Sequence, residues 1–327
     1  MRPSLLFAFL LLLSGLGLAI ALAVGSVPMR PAEILALLGG SMDDPVRHAI
    51  LFELRLPRAL TAFAVGGLLA LAGALLQVLL RNPLADPYVL GTSGGAGVGA
   101  LLVMFAGLSG LWLTGGAFAG ALASTLLVFG LAEWRGGGTP TRLLLTGIVV
   151  ASGWGALIAF LLSISPDRAL RGMLFWLMGD LQPAARPDLL LGLLAVVTAA
   201  AFALARPLNV LGQGRLAAAS LGVGVGMLRR WVYLLASLAT GTAVAFAGSI
   251  GFVGLVVPHM LRLAGARDHR LLLPAAALAG GSLLLLADTA ARSLLAPRQL
   301  PVGVLTALIG VPTFLYLLLR QAGETKP

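Results

Sequence analysis

Three arginines are the side chains best suited to recognise a charged partner. Arg55 and Arg58 close the run Glu-Leu-Arg-Leu-Pro-Arg that begins at Glu53, and Arg292 follows Asp288 by four residues. A planar guanidinium group pairs bidentately with carboxylates, so these arginines could form a docking surface for an acidic partner. Other roles remain open, because such arginines also meet lipid phosphates or cap helices, and Asp288 could pair with Arg292 at i,i+4.

Two proline-containing turns could narrow a pathway between two copies of the chain. The first contains Asn82, Pro83 and Leu84 within the run Arg-Asn-Pro-Leu-Ala-Asp-Pro, and the second is the looser run Gly-Gly-Gly-Thr-Pro-Thr-Arg at 136–142. Proline and glycine together fix tight turns. Thr139 or Thr141 could instead simply cap the helix that follows.

The long loop at 206–230, between two apolar runs, contains a short apolar stretch, Leu216–Leu221, flanked by glycines. This stretch is too short to cross a bilayer, which needs about 20 residues, and too apolar to lie free in water. The pattern predicts a short helix that either lies on the lipid surface or inserts into a cytoplasmic partner.

The sequence offers little catalytic or metal-binding chemistry. It has no cysteine, which excludes disulfides, thiolate catalysis and zinc–thiolate sites. Its one lysine, Lys326, is not part of a nucleotide-binding glycine loop, so any ATP that drives the protein must bind another chain. No two of the three histidines have metal-pair spacing. We therefore predict no catalytic residue, no metal site and no cofactor bound by this chain.

The composition is that of a membrane protein. Hydrophobic residues make up 59% of the chain and charged residues 10%, whereas soluble domains have about 25% charged residues. Lipid admits only helices or closed barrels, and barrel strands alternate apolar and polar residues. Because the apolar runs here are continuous, the prediction is an all-α polytopic membrane protein.

Ten apolar runs are candidate transmembrane helices, and together they predict a single membrane domain over residues 1–327. The first run favours a retained helix over a signal peptide. Lys and Arg are more frequent in the loops that are inside when both termini are cytoplasmic. The runs are Ser4–Gly25, Arg58–Leu80, Ser93–Leu108, Leu111–Glu133, Arg142–Ile164, Asp188–Ala205, Trp231–Ile250, Val253–Ala264, Leu271–Arg292 and Val302–Leu319.

Glycines within these runs predict close helix packing. The chain has 43 glycines, and small residues let membrane helices approach each other closely. The clearest patterns are Gly91-x3-Gly95-x3-Gly99 and Gly116-x3-Gly120.

Several motifs, in order along nearly the whole chain, resemble the permease subunits of type II ABC importers for vitamin B12, haem and ferric siderophores. They are Arg-Leu-Pro-Arg (55–58), Gly-Ala-Leu-Leu-Gln (73–77), Arg-Asn-Pro-Leu-Ala-Asp-Pro (81–87), Leu-Gly-Thr-Ser-Gly-Gly-Ala (90–96), Phe-Trp-Leu-Met-Gly (175–179), Gly-Phe-Val-Gly-Leu-Val-Val-Pro-His-Met-Leu-Arg (251–262), Asp-His-Arg (268–270), Leu-Leu-Ala-Asp (285–288) and Leu-Pro-Val-Gly-Val-Leu-Thr-Ala-Leu-Ile-Gly-Val-Pro-Thr-Phe (300–314).

The resemblance implies the type II importer permease fold: a homodimer of ten-helix subunits in the bacterial inner membrane, in contact with lipid and not with nucleic acid. Two cytoplasmic ATPase subunits would carry ATP-Mg, and a periplasmic binding protein would deliver the cargo. This subunit is then a transport component rather than an enzyme. A haem or ferric siderophore cargo is favoured, with cobalamin close behind, and the alternative is an ion-coupled secondary transporter.

The resemblance also assigns roles to residues by position. Arg55, Arg58 and Arg292 match the arginines that dock the binding protein. The cytoplasmic gate is matched by Asn82, Pro83, Leu84, Thr139, Pro140 and Thr141. The ATPase-coupling loop, about 207–228, is matched by Leu211, Gln213, Arg215, Leu216, Ala219, Ser220, Leu221 and Gly222. In the family this loop often carries acidic residues, whereas here it reads Gln-Gly-Arg at 213–215.

Overall fold

A computed structural model describes residues 3–41, 44–134, 139–181 and 186–324, and within them every regular element is a helix. The helices are α1 Pro3–Ala23, α2 Pro31–Leu38, α3 Pro45–Ala49, α4 Leu56–Leu79, α5 Thr92–Phe105, α6 Leu111–Glu133, α7 Pro140–Ile164, α8 Asp167–Leu177, α9 Pro187–Ala203, α10 Ala205–Gly212, α11 Arg215–Ser220, α12 Val225–Ala247, α13 Val253–Leu263, α14 His269–Ser293 and α15 Val302–Glu324. A π-helical segment, Ile50–Arg55, leads into α4, and a 3-10 turn, Pro87–Leu90, precedes α5.

Each predicted apolar run falls on a helix, which confirms the all-α prediction for the described residues. Six helices are long and apolar enough to cross a membrane, and α9 with α10, bent by 57°, can add a seventh. Three more apolar helices, α5, α13 and the Val302–Tyr316 part of α15, are shorter than a full span. The predicted number of ten spans therefore stays a prediction.

Helix α4 lies at the centre of the bundle, with almost every residue buried between α14, α12, α13 and α9. Two glycines make its closest contacts. A Cβ atom on Gly73 would clash with the backbone oxygen of Gly254 in α13, and one on Gly66 would clash with that of Gly280 in α14. Lipid supplies no hydrophobic force between helices, so such close van der Waals packing holds the bundle together.

The predicted glycine pattern brings α5 and α6 together in the same way. A Cβ atom on Gly95 would clash with the backbone of Gly120, and one on Gly99 would clash with that of Gly116. The packing role predicted for these four glycines is confirmed. Gly91 has a different role: its φ of +70° ends the 3-10 turn before α5.

Helices α4 and α14 run along the bundle, so the residues at their termini define its two ends. Helix α4 has 24 residues, which is about 36 Å of helix, and it begins next to the last turn of α14. We call the end with Arg58 and Arg292 the arginine end, and the opposite end, with α10 and α11, the α11 end. The predicted docking residues therefore lie at one end and the predicted gate and coupling residues at the other.

Candidate functional site

A buried ion cluster occupies the arginine end. Asp288, in the last turns of α14, is 1% exposed. Its carboxylate accepts hydrogen bonds from Arg58 Nε at 3.1 Å and Arg58 Nη2 at 2.9 Å, and from Arg292 Nε at 3.1 Å. The i,i+4 pair that the sequence left open is confirmed, and the same carboxylate also holds Arg58. We call Arg58, Asp288 and Arg292 the mouth cluster.

The loops at this end add further partners for Arg58. Arg58 Nη1 donates to Gln299 Oε1 at 3.2 Å, and Arg58 Nη2 lies 3.9 Å from Asp180 Oδ1. Burial raises the pKa of Asp180, and the guanidinium group of Arg58 opposes that shift. Each terminal nitrogen of Arg58 therefore already has an acceptor within this chain.

Arg55 stabilises the end of α1. Its side chain is buried, and Nη1 donates to the backbone oxygens of Leu22 at 2.6 Å and Ala23 at 3.3 Å. Its Nη2 donates to the oxygen of Val27. The last carbonyl groups of a helix have no partners within the helix, so Arg55 acts as a side-chain cap. The capping role left open by the sequence is confirmed for this arginine.

The first gate turn, at the α11 end, is held by its own side chains. Asn82 Oδ1 accepts a hydrogen bond from the backbone N–H of Leu84 at 2.9 Å, and Arg81 has a left-handed φ of 50°. Pro83 and Leu84 are exposed. Asp86 accepts from the N–H of Tyr88, and burial raises the pKa of Asp86 to about 6. The turn is compact and presents an apolar tip.

The second gate turn is described only from Thr139 onward, and residues 136–138 of the predicted turn lie outside the described residues. Thr139 Oγ1 accepts a hydrogen bond from the N–H of Arg142 at 3.2 Å, at the start of α7. Of the two threonines that could cap this helix, Thr139 is therefore the one that does. Pro140 occupies the first position of α7, where its missing N–H costs nothing.

The coupling segment folds into two short helices joined by a glycine. Helix α9 bends into α10, and Gly214, with φ of 127°, separates α10 from α11. Leu211 is buried, but Leu216 is 87% exposed and Leu221 is 67% exposed. The short apolar helix predicted over Leu216–Leu221 is confirmed as α11, Arg215–Ser220. The side chains of Leu216 and Leu221 are largely exposed.

Asn209 ties α10 to the start of α14, an interaction that sequence reasoning missed. Its Nδ2 donates to Asp268 Oδ1 at 2.7 Å, and its Oδ1 accepts from the N–H of His269 at 2.9 Å. Asp268 also caps α14 through the N–H of Arg270. The amide of Asn209, and then the N–H of Arg270, lower the pKa of Asp268. Asn209 is one of only two asparagines in the chain, and it lies in an apolar stretch. A polar amide in such a stretch is the sequence feature that could have indicated this interaction.

Gln77, which is buried, is a second polar residue whose contacts the sequence did not predict. It lies near the end of α4, donates to the backbone oxygen of Leu255 at 3.2 Å and accepts from Arg262 Nη1. Both partners are in α13, so Gln77 ties α4 to α13 beside the first gate turn. Among the residues that the structure describes, no group of three His, Cys, Asp or Glu side chains could hold a metal ion.

Comparison with known proteins gives a consistent picture over the whole length of the chain. The sequence profile of the FecCD transport family matches residues 10–320. The hemin transport system permease of Yersinia pestis is 43% identical, over 98% of this chain and 97% of that protein. The vitamin B12 import system permease of Escherichia coli is 41% identical, over 88% of each chain.

Solved structures agree with these relatives. An inward-facing structure of a metal-chelate type ABC transporter is 33% identical, covers 97% of this chain and 99% of its own, and superimposes with a TM-score of 0.83. A more distant neighbour, PsaBC from Streptococcus pneumoniae, is 17% identical with a TM-score of 0.55 and supports the fold alone.

Proposed function

The chain belongs to the FecCD transport family, and on that premise we propose that it is the membrane-spanning subunit of an ATP-driven importer for a bulky metal chelate. The observation that carries the proposal is end-to-end similarity to permeases named for hemin and vitamin B12. A haem or ferric siderophore cargo is favoured, with cobalamin close behind. ATP-Mg would bind the partner ATPase, because no nucleotide-binding loop occurs in this sequence.

The proposed assembly is a homodimer in the bacterial inner membrane, with ten spans per subunit and both termini in the cytoplasm. The seven long or bent candidate spans and the three shorter apolar helices supply ten segments. Helix α7 supports a role at a subunit or lipid boundary, because its buried residues are only Leu143, Gly147 and Leu161. In this orientation the arginine end faces the periplasm and the α11 end faces the cytoplasm.

Docking of the binding protein would use the arginine end. Of the three predicted residues, Arg292 retains the most hydrogen-bonding capacity, since its Nη1 makes no hydrogen bond with the described residues. Arg55 and Arg58 are occupied by backbone and side-chain acceptors within the chain. We therefore propose that Arg292 makes the direct contact with an acidic partner and that Arg55 and Arg58 shape the surface around it.

ATPase coupling would use α11. The exposed Leu216 and Leu221 suit insertion into an apolar cleft of the partner, and Arg215 supplies a basic edge where the family often has acidic residues. Asn82–Leu84 and Thr139–Thr141 would form the cytoplasmic gate at the same end.

Transport would follow alternating access. A ligand shifts a population of conformations only by its differential affinity for them. Docking at the arginine end and ATP-driven closure at the α11 end would each favour one conformation. Helix α14 suits the connection between them, because it meets α10 at one end, through Asn209, and carries Asp288 and Arg292 at the other.

Copurification tests the coupling contact directly. The chain is co-expressed with its partner ATPase as wild type, as the double variant Leu216→Asp and Leu221→Asp, and as the control Leu38→Asp. Leu38 is 53% exposed in α2, at the arginine end. We expect the double variant to lose the ATPase and the control to retain it. An ATPase that stays bound to the double variant would contradict the proposed contact.

A further inference from the structure

A pocket at the α11 end has no role in the proposed transport cycle, apart from Arg215, which also belongs to the coupling segment. It lies where α4, α6, α7 and α12 approach the first residue of α11. Its lining residues, among those the structure describes, are Leu79, Phe129, Ala132, Glu133, Leu143, Arg215, Gly226, Arg229, Arg230 and Tyr233.

Three guanidinium groups face one carboxylate in this pocket. Arg215, Arg229 and Arg230 make no ion pair or hydrogen bond with any described residue, and Glu133 forms no ion pair with them. Arg229 Nε is moreover buried without a hydrogen-bond partner. A buried donor without an acceptor is costly, the more so when it is charged. Glu133 attracts Arg229 electrostatically without a hydrogen bond, and Arg215 and Arg230 are exposed. The pocket therefore has an excess of positive charge, and the buried Arg229 Nε lacks an acceptor.

The rest of the pocket and its surroundings are apolar. Phe129 and Leu143 form part of the wall, and the hydroxyl of Tyr233 already donates to the oxygen of Thr125. Trp134 and Trp231, adjacent in sequence to Glu133 and Arg230, are 65% and 50% exposed. Exposed tryptophans of membrane proteins concentrate at the headgroup level of the bilayer. In the proposed orientation, these tryptophans place the pocket near the headgroup level of the inner leaflet.

The outer face of α6 continues the apolar surface away from the arginines. Leu126 and Leu127, one to two turns before Glu133, are 62% and 45% exposed. A ligand that matches both features has an anionic head for the arginines and a hydrocarbon chain for α6. Basic pockets between membrane helices on the cytoplasmic side are suited to anionic phospholipids.

We propose that this pocket binds the phosphate headgroup of an anionic phospholipid of the inner leaflet, with an acyl chain along α6. The inference rests on the proposed function for the orientation of the pocket. It extends that function, because Arg215 begins α11 and a bound lipid would stabilise the coupling helix from the membrane side. An acidic side chain of the ATPase could offer similar charge, but the tryptophans and the exposed leucines of α6 favour lipid.

Native mass spectrometry of the purified permease, without ATPase or cargo, tests the proposal. Dioleoylphosphatidylglycerol and dioleoylphosphatidylcholine are titrated in turn in detergent. The variant is Arg229→Gln with Arg230→Gln. The matched control is Arg206→Gln with Arg267→Gln, which removes two exposed arginines outside the pocket. We expect the wild type and the control to prefer phosphatidylglycerol, and the pocket variant to bind it about fivefold more weakly or worse.

Three results would overturn the proposal. Equal weakening in the control would mean that surface charge alone attracts the lipid. Displacement by inorganic phosphate at the same concentration would assign the pocket to a free anion, and displacement by added ATPase would assign it to a protein contact. If the double variant fails to fold, Arg230→Gln alone, at an exposed side chain, serves in its place. Because lipid binding is measured before any ATPase is added and without cargo, its failure would leave the transport proposal untouched.

Discussion

At the residue scale, the buried carboxylate of Asp288 accepts hydrogen bonds from two arginines, Arg58 and Arg292. Replacing Asp288 by Asn would leave Arg292 buried without a counter-charge and Arg58 with only the more distant Asp180, at 3.9 Å. Removing one partner of a buried ion pair costs about 3–5 kcal/mol. We expect Asp288→Asn to lower the thermal unfolding midpoint of the detergent-solubilised permease strongly.

The control is Asp188→Asn at the same end of the bundle. Asp188 pairs with Arg186 at 2.9 Å, but both side chains are about two-thirds exposed, 65% and 68%. Exposed ion pairs contribute about 0–1 kcal/mol. A similar loss of stability in both variants would show that burial of the Asp288 carboxylate does not matter.

Loss of the Arg292 side chain should weaken binding of the partner protein more than it destabilises the permease. In Arg292→Gln, Asp288 keeps its hydrogen bonds from Arg58, so we expect little change in unfolding temperature. Affinity for the binding protein should fall about tenfold, the effect of one charge-assisted hydrogen bond. Surface plasmon resonance with the permease in nanodiscs measures this affinity.

Arg298→Gln is the matched control for Arg292→Gln, because Arg298 is exposed in the loop after α14 and its loss removes the same charge. Unchanged affinity in Arg292→Gln, or an equal decrease in both variants, would count against direct docking at Arg292.

At the element scale, the close contact between α4 and α13 requires that Gly73 and Gly254 have no side chains. In Gly73→Ala the new methyl group would overlap the backbone oxygen of Gly254, which has no flexible atoms to move aside. Overpacking costs about 1–3 kcal/mol and occasionally more, and the rigid backbone at this contact favours the upper end of that range. We expect a large loss of folded permease by size-exclusion chromatography.

Gly192→Ala in α9 tests whether any glycine substitution would have that effect. Nothing lies within 4 Å of a Cβ atom built on Gly192, and Ala favours helix over Gly by about 1 kcal/mol. We expect Gly192→Ala to fold normally, and normal folding of Gly73→Ala would refute the close contact.

Asn209 is the second element-scale tie, between α10 and α14. In Asn209→Ala we expect ATP hydrolysis by the assembled complex to persist while the cargo imported per ATP falls about threefold or more, as for residues that carry coupling between sites. Thr198→Ala is the control, because that hydroxyl bonds only within α9, to Leu194. If Asn209→Ala left the amount of cargo imported per ATP unchanged, the contact between α10 and α14 would not connect the two ends of the permease.

Local patterns in the sequence predict most of the elements. Continuous apolar runs identify the long helices, the glycine spacing predicts the contact between α5 and α6, and glycines around Leu216 predict α11. The short helices α2, α3, α8 and α10 were not predicted, because none of them contains an apolar run long enough to span a membrane.

Distant polar partners are the part of the site that the sequence could not predict. Arg58 and Asp288 are 230 positions apart, and Asn209 and Asp268 are 59 apart. Their pairing depends on how α4, α10 and α14 pack, which no local spacing encodes. For the same reason the docking role assigned to Arg55, Arg58 and Arg292 by resemblance stays a prediction, whereas the cap formed by Arg55 is evident only in three dimensions.

At the scale of the whole molecule, an apolar helical bundle joins two chemically different ends. The arginine end concentrates buried charge around Asp288, and the α11 end exposes Leu216 and Leu221. Helices α4 and α14 run between these ends and pack closely along their length. These two helices therefore provide continuous packed contact between the two ends.

Cargo uptake into proteoliposomes tests the central claim most directly. The permease is reconstituted with its ATPase, and its binding protein is loaded in turn with haem, a ferric siderophore or cobalamin. The account predicts accumulation of one of these chelates only when ATP, the ATPase and the binding protein are all present. Accumulation without the ATPase, driven by an ion gradient, would contradict it and would favour a secondary transporter.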